Sequence, residues 1–375
     1  MRSWVARLAE LILVAAACWA MVGVSGQTKP VEAVRAPAFG WQLPDWMAPP
    51  PVPADNPMSA AKVELGRYLF FDARLAGLNY ISCSTCHRPE LGFTDGRPVA
   101  IGVTGERHPR NSQPLANVGY LPALTWADPA VTSLEEQSKL PLFGDHPVEM
   151  LAAGREPAII ARLEVDRRYL QLFAAAFPET GGRIDFVAIR KALATFERTL
   201  LSFDAPYDRW RHAGGADAIS AAAKRGESLF GSERLRCSQC HPAPFFTDAV
   251  GSPHYHNTGL DNLDGAGALP AGNQGRIEHT GDPADMGRFR TPSLRNVAVT
   301  APYMHDGSIG TLGEVIDHYA GGGRSALAGH RSPLTSPLIS GFTLDNKEKA
   351  DLIAFLEALT DPSFLTNPEI QSPFR

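Results

Sequence analysis

Two five-residue stretches hold side chains whose order is itself chemistry: Cys83-Ser84-Thr85-Cys86-His87 and Cys237-Ser238-Gln239-Cys240-His241. Each reads Cys-x-x-Cys-His, the attachment sequence of a c-type haem. The two thiols add across the vinyl groups of the macrocycle and fix it covalently. The histidine that follows reaches the iron from one side as its proximal ligand. One copy alone would also read as half of a zinc site. Two complete copies, each closed by histidine, point to two covalent haem c groups, with iron on His87 and on His241. Of the five cysteines, four lie in these motifs and the fifth is Cys18, so no thiol remains for a disulfide or a zinc site.

The elements that must position these groups are written twice. Gly66-x-x-Leu69-Phe70 precedes the first motif and Phe93-Thr94-Asp95 follows it; Gly226-x-x-Leu229-Phe230 precedes the second and Phe246-Thr247-Asp248 follows it. His87 and His241 are 154 residues apart, one small domain per copy, which fits a duplication rather than a solenoid. Each half is predicted to close with a helix. Ile184 to Phe203 carries Phe186, Ile189, Leu193, Phe196 and Leu200 at helical spacing, and Asp345 to Leu359 carries Ala350, Ile353, Ala354 and Leu356, with N-cap chemistry at Thr343-Leu344-Asp345. Glycine (34) and proline (31) are plentiful enough to require long ordered loops between such helices. The expected fold is therefore mainly α, as two cytochrome c-like domains, 58–210 and 211–375, with one haem each. Residues 205–217 read as the linker, loosest at Gly214-Gly215. Residues 27–57, rich in proline and tryptophan, read as an extended arm.

The remaining composition sets the address. Arg2 and Arg7 precede an apolar run from Leu11 to Val24, and Val24-Ser25-Gly26 offers small residues for cleavage. Fourteen apolar residues fall short of the roughly 20 a membrane span needs, so 1–26 reads as a secretory signal. An uncleaved anchor is the alternative. Haem c is attached outside the bacterial cytoplasm, so motifs and signal agree on the periplasm, with no stable membrane span. The net charge of −5 gives no sign of a nucleic-acid partner.

After residue 57 the chain resembles the bacterial di-haem cytochrome c peroxidase and MauG superfamily. The carrying stretches in the first half are Leu65-Gly66-Arg67-x-Leu69-Phe70, Phe93-Thr94-Asp95-Gly96-Arg97, Arg110-Asn111-Ser112, Leu134-Glu135-Glu136-Gln137 and Pro147-Val148-Glu149-Met150. In the second half they are Phe289-Arg290-Thr291-Pro292-Ser293-Leu294-Arg295-Asn296 and Ala301-Pro302-Tyr303-Met304-His305-Asp306-Gly307-Ser308. Trp126-Ala127-Asp128-Pro129 with Phe143-Gly144-Asp145-His146-Pro147 is similar to the MbnH-like members, which oxidise a tryptophan on a partner protein.

The resemblance implies roles residue by residue. In the family's peroxidases a loop histidine can occupy the open face of the first iron; here that position is Val103, which cannot bind a metal, so an open iron is expected. His108 stands beyond the matched position and reads as a surface histidine. Glu149 matches the distal acid–base residue and Gln137 its neighbouring amide; a carboxyl partly buried there should have a raised pKa. On the second iron, opposite His241, the matched ligand is Tyr319, with Met304 and His318 as alternatives. An anionic tyrosine ligand lowers a haem's potential where methionine raises it. Trp126 matches a tryptophan placed between the haems. Asn111, Thr300 and Pro302 match an inter-domain calcium site of hard oxygen ligands. The implied activity is that of a haem peroxidase which uses hydrogen peroxide to form a high-valent di-haem state and oxidises an aromatic residue, a tryptophan, on a small exported protein. The alternatives are a cytochrome c peroxidase that draws electrons from a small redox protein, and a di-haem electron carrier. The carrier requires both irons to be capped by protein, against which Val103 argues.

Overall fold

The structure, a computed structural model, describes residues 39–374; the signal read at 1–26, with Cys18, and residues 27–38 of the arm lie outside it. The longer helices are α1 (Ala60–Phe71), α2 (Glu156–Glu164), α3 (Arg167–Ala176), α4 (Phe186–Glu197), α5 (Pro206–His212), α6 (Ala221–Phe230), α7 (Leu312–Ala320) and α8 (Asn346–Glu357). Short helical turns and long loops join them. Strands β1 (Tyr255–Asn257) and β2 (Arg288–Arg290) pair antiparallel, Tyr255 opposite Arg290. The chain is mainly helical, as predicted. No helix among the described residues is long and apolar enough to cross a membrane.

Local chemistry explains the helix limits. The Asp185 carboxylate accepts from Ala188 N at 2.8 Å and starts α4, whose Ile189, Leu193 and Phe196 are buried. The helix stops at Glu197, short of the predicted Phe203, and Arg198 grips Glu135 through two 2.8 Å bonds just beyond it. Helix α8 starts on Asp345, with Glu348 completing a reciprocal capping box.

Two helix pairs meet in the same way. α1 packs on α4 and α6 on α8, and at each crossing a glycine admits the neighbouring backbone. A Cβ on Gly66 would lie 2.0 Å from Ala192 O, and one on Gly226 would lie 2.0 Å from Asp351 O. Beside these contacts the Phe70–Phe196 rings stand 5.2 Å apart at 57° and the Phe230–Phe355 rings 5.1 Å apart at 57°. Because the obstacle is backbone, relief requires the helices to separate. Gly226→Ala should therefore cost about 1–3 kcal/mol, as overpacking does. Gly231→Ala, whose Cβ would meet only Glu227 O at 3.6 Å, should be close to neutral. Denaturant midpoints of the two variants check this.

The apolar core gathers around these pairs. One cluster holds Leu65, Leu69, Phe70, Phe93, Phe173, Leu193 and Phe196; the other holds Tyr207, Phe230, Phe246, Ile316, Phe355 and Leu356. Phe364 and Ile370, late in sequence, belong to the first cluster, and Phe364 lies 5.6 Å from the Phe93 ring. The segment 361–374 thus returns from the second motif's side to the first. The stretch read as a linker differs from expectation. Residues Pro206–His212 form α5, within which the 210/211 boundary falls, and Tyr207 and Asp208 are buried. The cause is a buried ion pair: Arg295, with no exposed side-chain surface, makes two bonds of 2.8 and 2.9 Å to Asp208. Residues 39–57 form neither helix nor strand, in keeping with an arm, and Trp46 stacks on His212 at 4.0 Å.

Candidate active site

Both Cys-x-x-Cys-His motifs close one tight turn. The His87 N–H donates to Cys83 O and the His241 N–H to Cys237 O, each at 2.9 Å. A few residues on, Phe93 (φ 64°) and Phe246 (φ 53°) take left-handed backbone conformations that non-glycine residues rarely adopt. Their carbonyls stand 2.8 Å from His87 Nδ1 and 2.9 Å from His241 Nδ1. A carbonyl only accepts, so the hydrogen sits on Nδ1 and the Nε2 lone pair is left for a metal. Burial lowers both histidine pKa values, which keeps the rings in the neutral, ligating form.

A cavity of about 160 Å³ adjoins the first motif, and Cys83, Cys86, His87, Gln137, Glu149 and His108 all reach it. Burial pushes the Glu149 carboxyl up to about 7. About 29% of its side chain is exposed. Val103 does not line the cavity; it is 1% exposed, packed in the first core, and its N–H donates to Glu149 O at 2.7 Å. The expectation for His108 needs correction. It is not an outlying surface residue: its Nε2 lies 3.8 Å from Glu149 Oε1.

A second cavity, about 230 Å³, adjoins Cys237, Cys240 and His241, and both Tyr319 and Met304 line it. Burial pushes the Tyr319 phenol up, so a phenolate there depends on the charge of a bound metal. His318 is committed elsewhere: its Nε2–H donates to Thr258 O at 3.0 Å and its Nδ1 accepts from Arg324 N at 3.1 Å. Cys240, Asp248 and His256 also converge as a possible metal triad, but the Cys240 sulfur is one that haem attachment uses.

Asn111, Pro114, Trp126 and Arg290 line both cavities. Trp126 is 7% exposed, and its Nε1–H donates to Asn111 O at 2.8 Å. The Asn111 amide nitrogen donates to Arg97 O at 2.9 Å and Pro98 O at 3.2 Å, which turns Oδ1 the other way. Among the described residues no donor reaches Asn111 Oδ1, Thr300 O or Pro302 O, and all three residues line the second cavity. Hard oxygens without donors fit a cation such as calcium, with waters completing its shell.

Two residues on these walls escaped the sequence reading. Glu197 lies in the first cavity, its carboxyl pushed up to about 8 by burial. The signal was present, since Ile189, Leu193 and Glu197 recur every four residues and put a carboxyl on an apolar stripe. Arg290 is 4% exposed and has no carboxylate within ion-pair distance among the described residues. It is held instead by Thr125 O at 3.0 Å, Thr291 O at 3.3 Å and the Gln113 side chain. Nothing in Arg288-Phe289-Arg290 reveals which arginine is buried.

Known proteins resemble this chain over most of its length. The family model described as di-haem cytochrome c peroxidase matches residues 60–216. The methylamine utilization protein MauG of Methylorubrum extorquens is 36% identical over 85% of this chain and 84% of its own length. A cytochrome-c peroxidase of Denitromonas iodatirespirans is 36% identical over 97% of this chain and 96% of its own. Among solved structures, a MauG-like protein associated with microbial copper homeostasis is 47% identical, with a TM-score of 0.86 over 90% of this chain and 100% of that one. With two histidine-closed motifs, two adjoining cavities and a tryptophan on the wall they share, the chain belongs to the di-haem cytochrome c peroxidase and MauG family of oxidoreductases.

Proposed function

We propose that this is a periplasmic di-haem c peroxidase of MauG type that uses hydrogen peroxide to oxidise a tryptophan of a small exported partner protein. Cys83, Cys86 and His87 hold the first haem, and Cys237, Cys240, His241 and Tyr319 hold the second. The matching glycine crossings and phenylalanine pairs support an origin by duplication, one cytochrome c-like domain per haem. When bound, the haems supply the iron at which peroxide reacts and the capacity to store two oxidising equivalents. The chain's own residues handle protons and geometry. Glu149 takes a proton from the near oxygen of peroxide and returns it to the far oxygen, which departs as water. Gln137 orients the peroxide beside it. Arg290 holds a buried guanidinium on the wall of both cavities, where it would pair with a carboxylate of a bound haem. Asn111, Thr300 and Pro302 bind calcium and tie together the loops on either side.

The observation that carries this reading is the asymmetry of the two cavities: a carboxyl raised by burial in the first, a phenol in the second, and Trp126 on the wall between them. The similarity to a copper-homeostasis-associated MauG-like protein supports testing exported copper-handling proteins first. Mass spectrometry of such a partner, before and after treatment with enzyme and peroxide, is the direct test. A mass change localised to tryptophan, absent with peroxide alone, is expected. The similarity to cytochrome-c peroxidases supports the other reading. Under it the partner's mass stays constant, and two molecules of a reduced one-electron redox protein are oxidised for each peroxide consumed.

A further inference from the structure

The first cavity holds an ionisable side chain that the proposed proton transfer leaves unused. His108 closes the loop 100–108, with Nε2 3.8 Å from Glu149 Oε1. Backbone contacts fix both partners. The Val103 N–H donates to Glu149 O at 2.7 Å, and the Val148 N–H donates to Glu106 Oε2 at 2.9 Å. Gly102 approaches so closely that a Cβ there would stand 1.9 Å from Val148 O. The spacing of His108 and Glu149 is therefore set by the folded loop rather than by two free side chains.

His108 Nδ1 lies 3.0 Å from Arg110 N and 3.1 Å from Arg110 O. The amide donates to Nδ1 when the ring hydrogen is on Nε2, and the carbonyl accepts from Nδ1 when the hydrogen is there, so the two contacts suit opposite tautomers; a carboxylate oxygen facing Nε2 favours the first. Burial, with Arg110 nearby, lowers the His108 pKa and keeps the ring neutral. At 3.8 Å the contact is longer than a direct hydrogen bond. A small side-chain rotation or one bridging water closes it.

We infer that His108 carries its hydrogen on Nε2 and is a positioning residue for Glu149: its Nε2–H holds Oε1, favours the carboxylate over the acid, and leaves Oε2 to receive the peroxide proton. This rests on Glu149 being the acid–base group. A hydrogen bond to the charged form of a carboxyl favours that form, whereas burial alone leaves Glu149 at about 7. The other charged or titratable groups around the pair are Arg110, Arg290, Glu197 and His87 on the cavity wall, the Cys83 and Cys86 thiols that haem attachment uses, and Glu106 behind Val148. None of them places a donor on the Glu149 carboxyl.

The test uses the haem-loaded protein and its His108→Leu, His108→Asn and His108→Gln variants, with Glu149→Gln as reference. The stopped-flow rate with peroxide and the equilibrium affinity for cyanide are measured across pH. Cyanide reports the same base without turnover, because binding of hydrogen cyanide leaves a proton behind. In His108→Leu both profiles should move up by about one pH unit, with about tenfold loss on the acid side and recovery in alkali. His108→Asn, too short to reach Oε1, should do the same. His108→Gln, which keeps an N–H donor, should stay near wild type. Unshifted Leu and Asn profiles beside a slow Glu149→Gln would overturn the role of His108 and leave that of Glu149 standing. An unslowed Glu149→Gln would remove the acid–base assignment itself. Loss of a low-spin ferric signal in His108→Leu would make His108 an iron ligand and sink the inference.

Discussion

Glu149→Gln should slow the reaction with hydrogen peroxide by about 10²–10⁴-fold, the contribution a positioned proton-transfer group makes. Glutamine keeps the size and the backbone tie to Val103 but offers no site that gains and loses a proton near neutrality. Bound haem and resting spectra should stay the same, since the side chain enters neither core. The pH dependence follows from the charge. A base works as the anion, and burial holds this carboxyl up to about 7. The wild-type rate should therefore climb as pH rises toward neutrality, earlier the more firmly His108 holds the anion, and then level off; in Glu149→Gln that climb should vanish. Stopped-flow traces at several pH values decide the matter. A loss under about tenfold would assign the proton relay to water or Gln137.

Trp126→Phe should separate two activities that otherwise rise and fall together. The indole lines both cavities, is 7% exposed, and donates its N–H to Asn111 O. Phenylalanine fills most of that space, yet gives up an electron far less readily. Peroxide consumption at the first cavity should change little. Modification of the partner should fall roughly 10²-fold, equivalent to about 2.7 kcal/mol of added barrier. Both rates are measured on one preparation, peroxide by stopped flow and partner by mass spectrometry. Equal losses in both would mean that Trp126 supports the pocket and carries no charge. The lost hydrogen bond frees Asn111 O, so the metal content of the variant should be measured alongside.

Sequence reading succeeded where one residue type permits one chemistry. Cys-x-x-Cys-His dictates its own turn, and a periodic apolar stripe dictates a helix, so both motifs and the cores of α4 and α8 were legible. Trp126 was legible only by family resemblance, as nothing in its neighbours says that it faces two cavities. What stayed hidden depends on pairs distant in sequence. Pro206–His212 looked like a linker because its partner, Arg295, stands 87 residues from Asp208. His108 looked peripheral because Glu149 is brought to it by a loop whose register no local pattern encodes. The burial of Arg290 could not be read from its neighbours, because a strand only three residues long fixes its depth.

The return of segment 361–374 to the first core has a consequence for how the protein is made. Phe364 and Ile370 fill that core, Arg67 donates to Pro368 O at 3.0 Å, and Tyr68 packs edge-on against Phe374 at 5.4 Å. Helix α1 leaves the ribosome some 290 residues before these partners do. A chain interrupted at residue 360 would already contain both attachment motifs, Glu149, Trp126 and Tyr319, yet its first core would stand open to water.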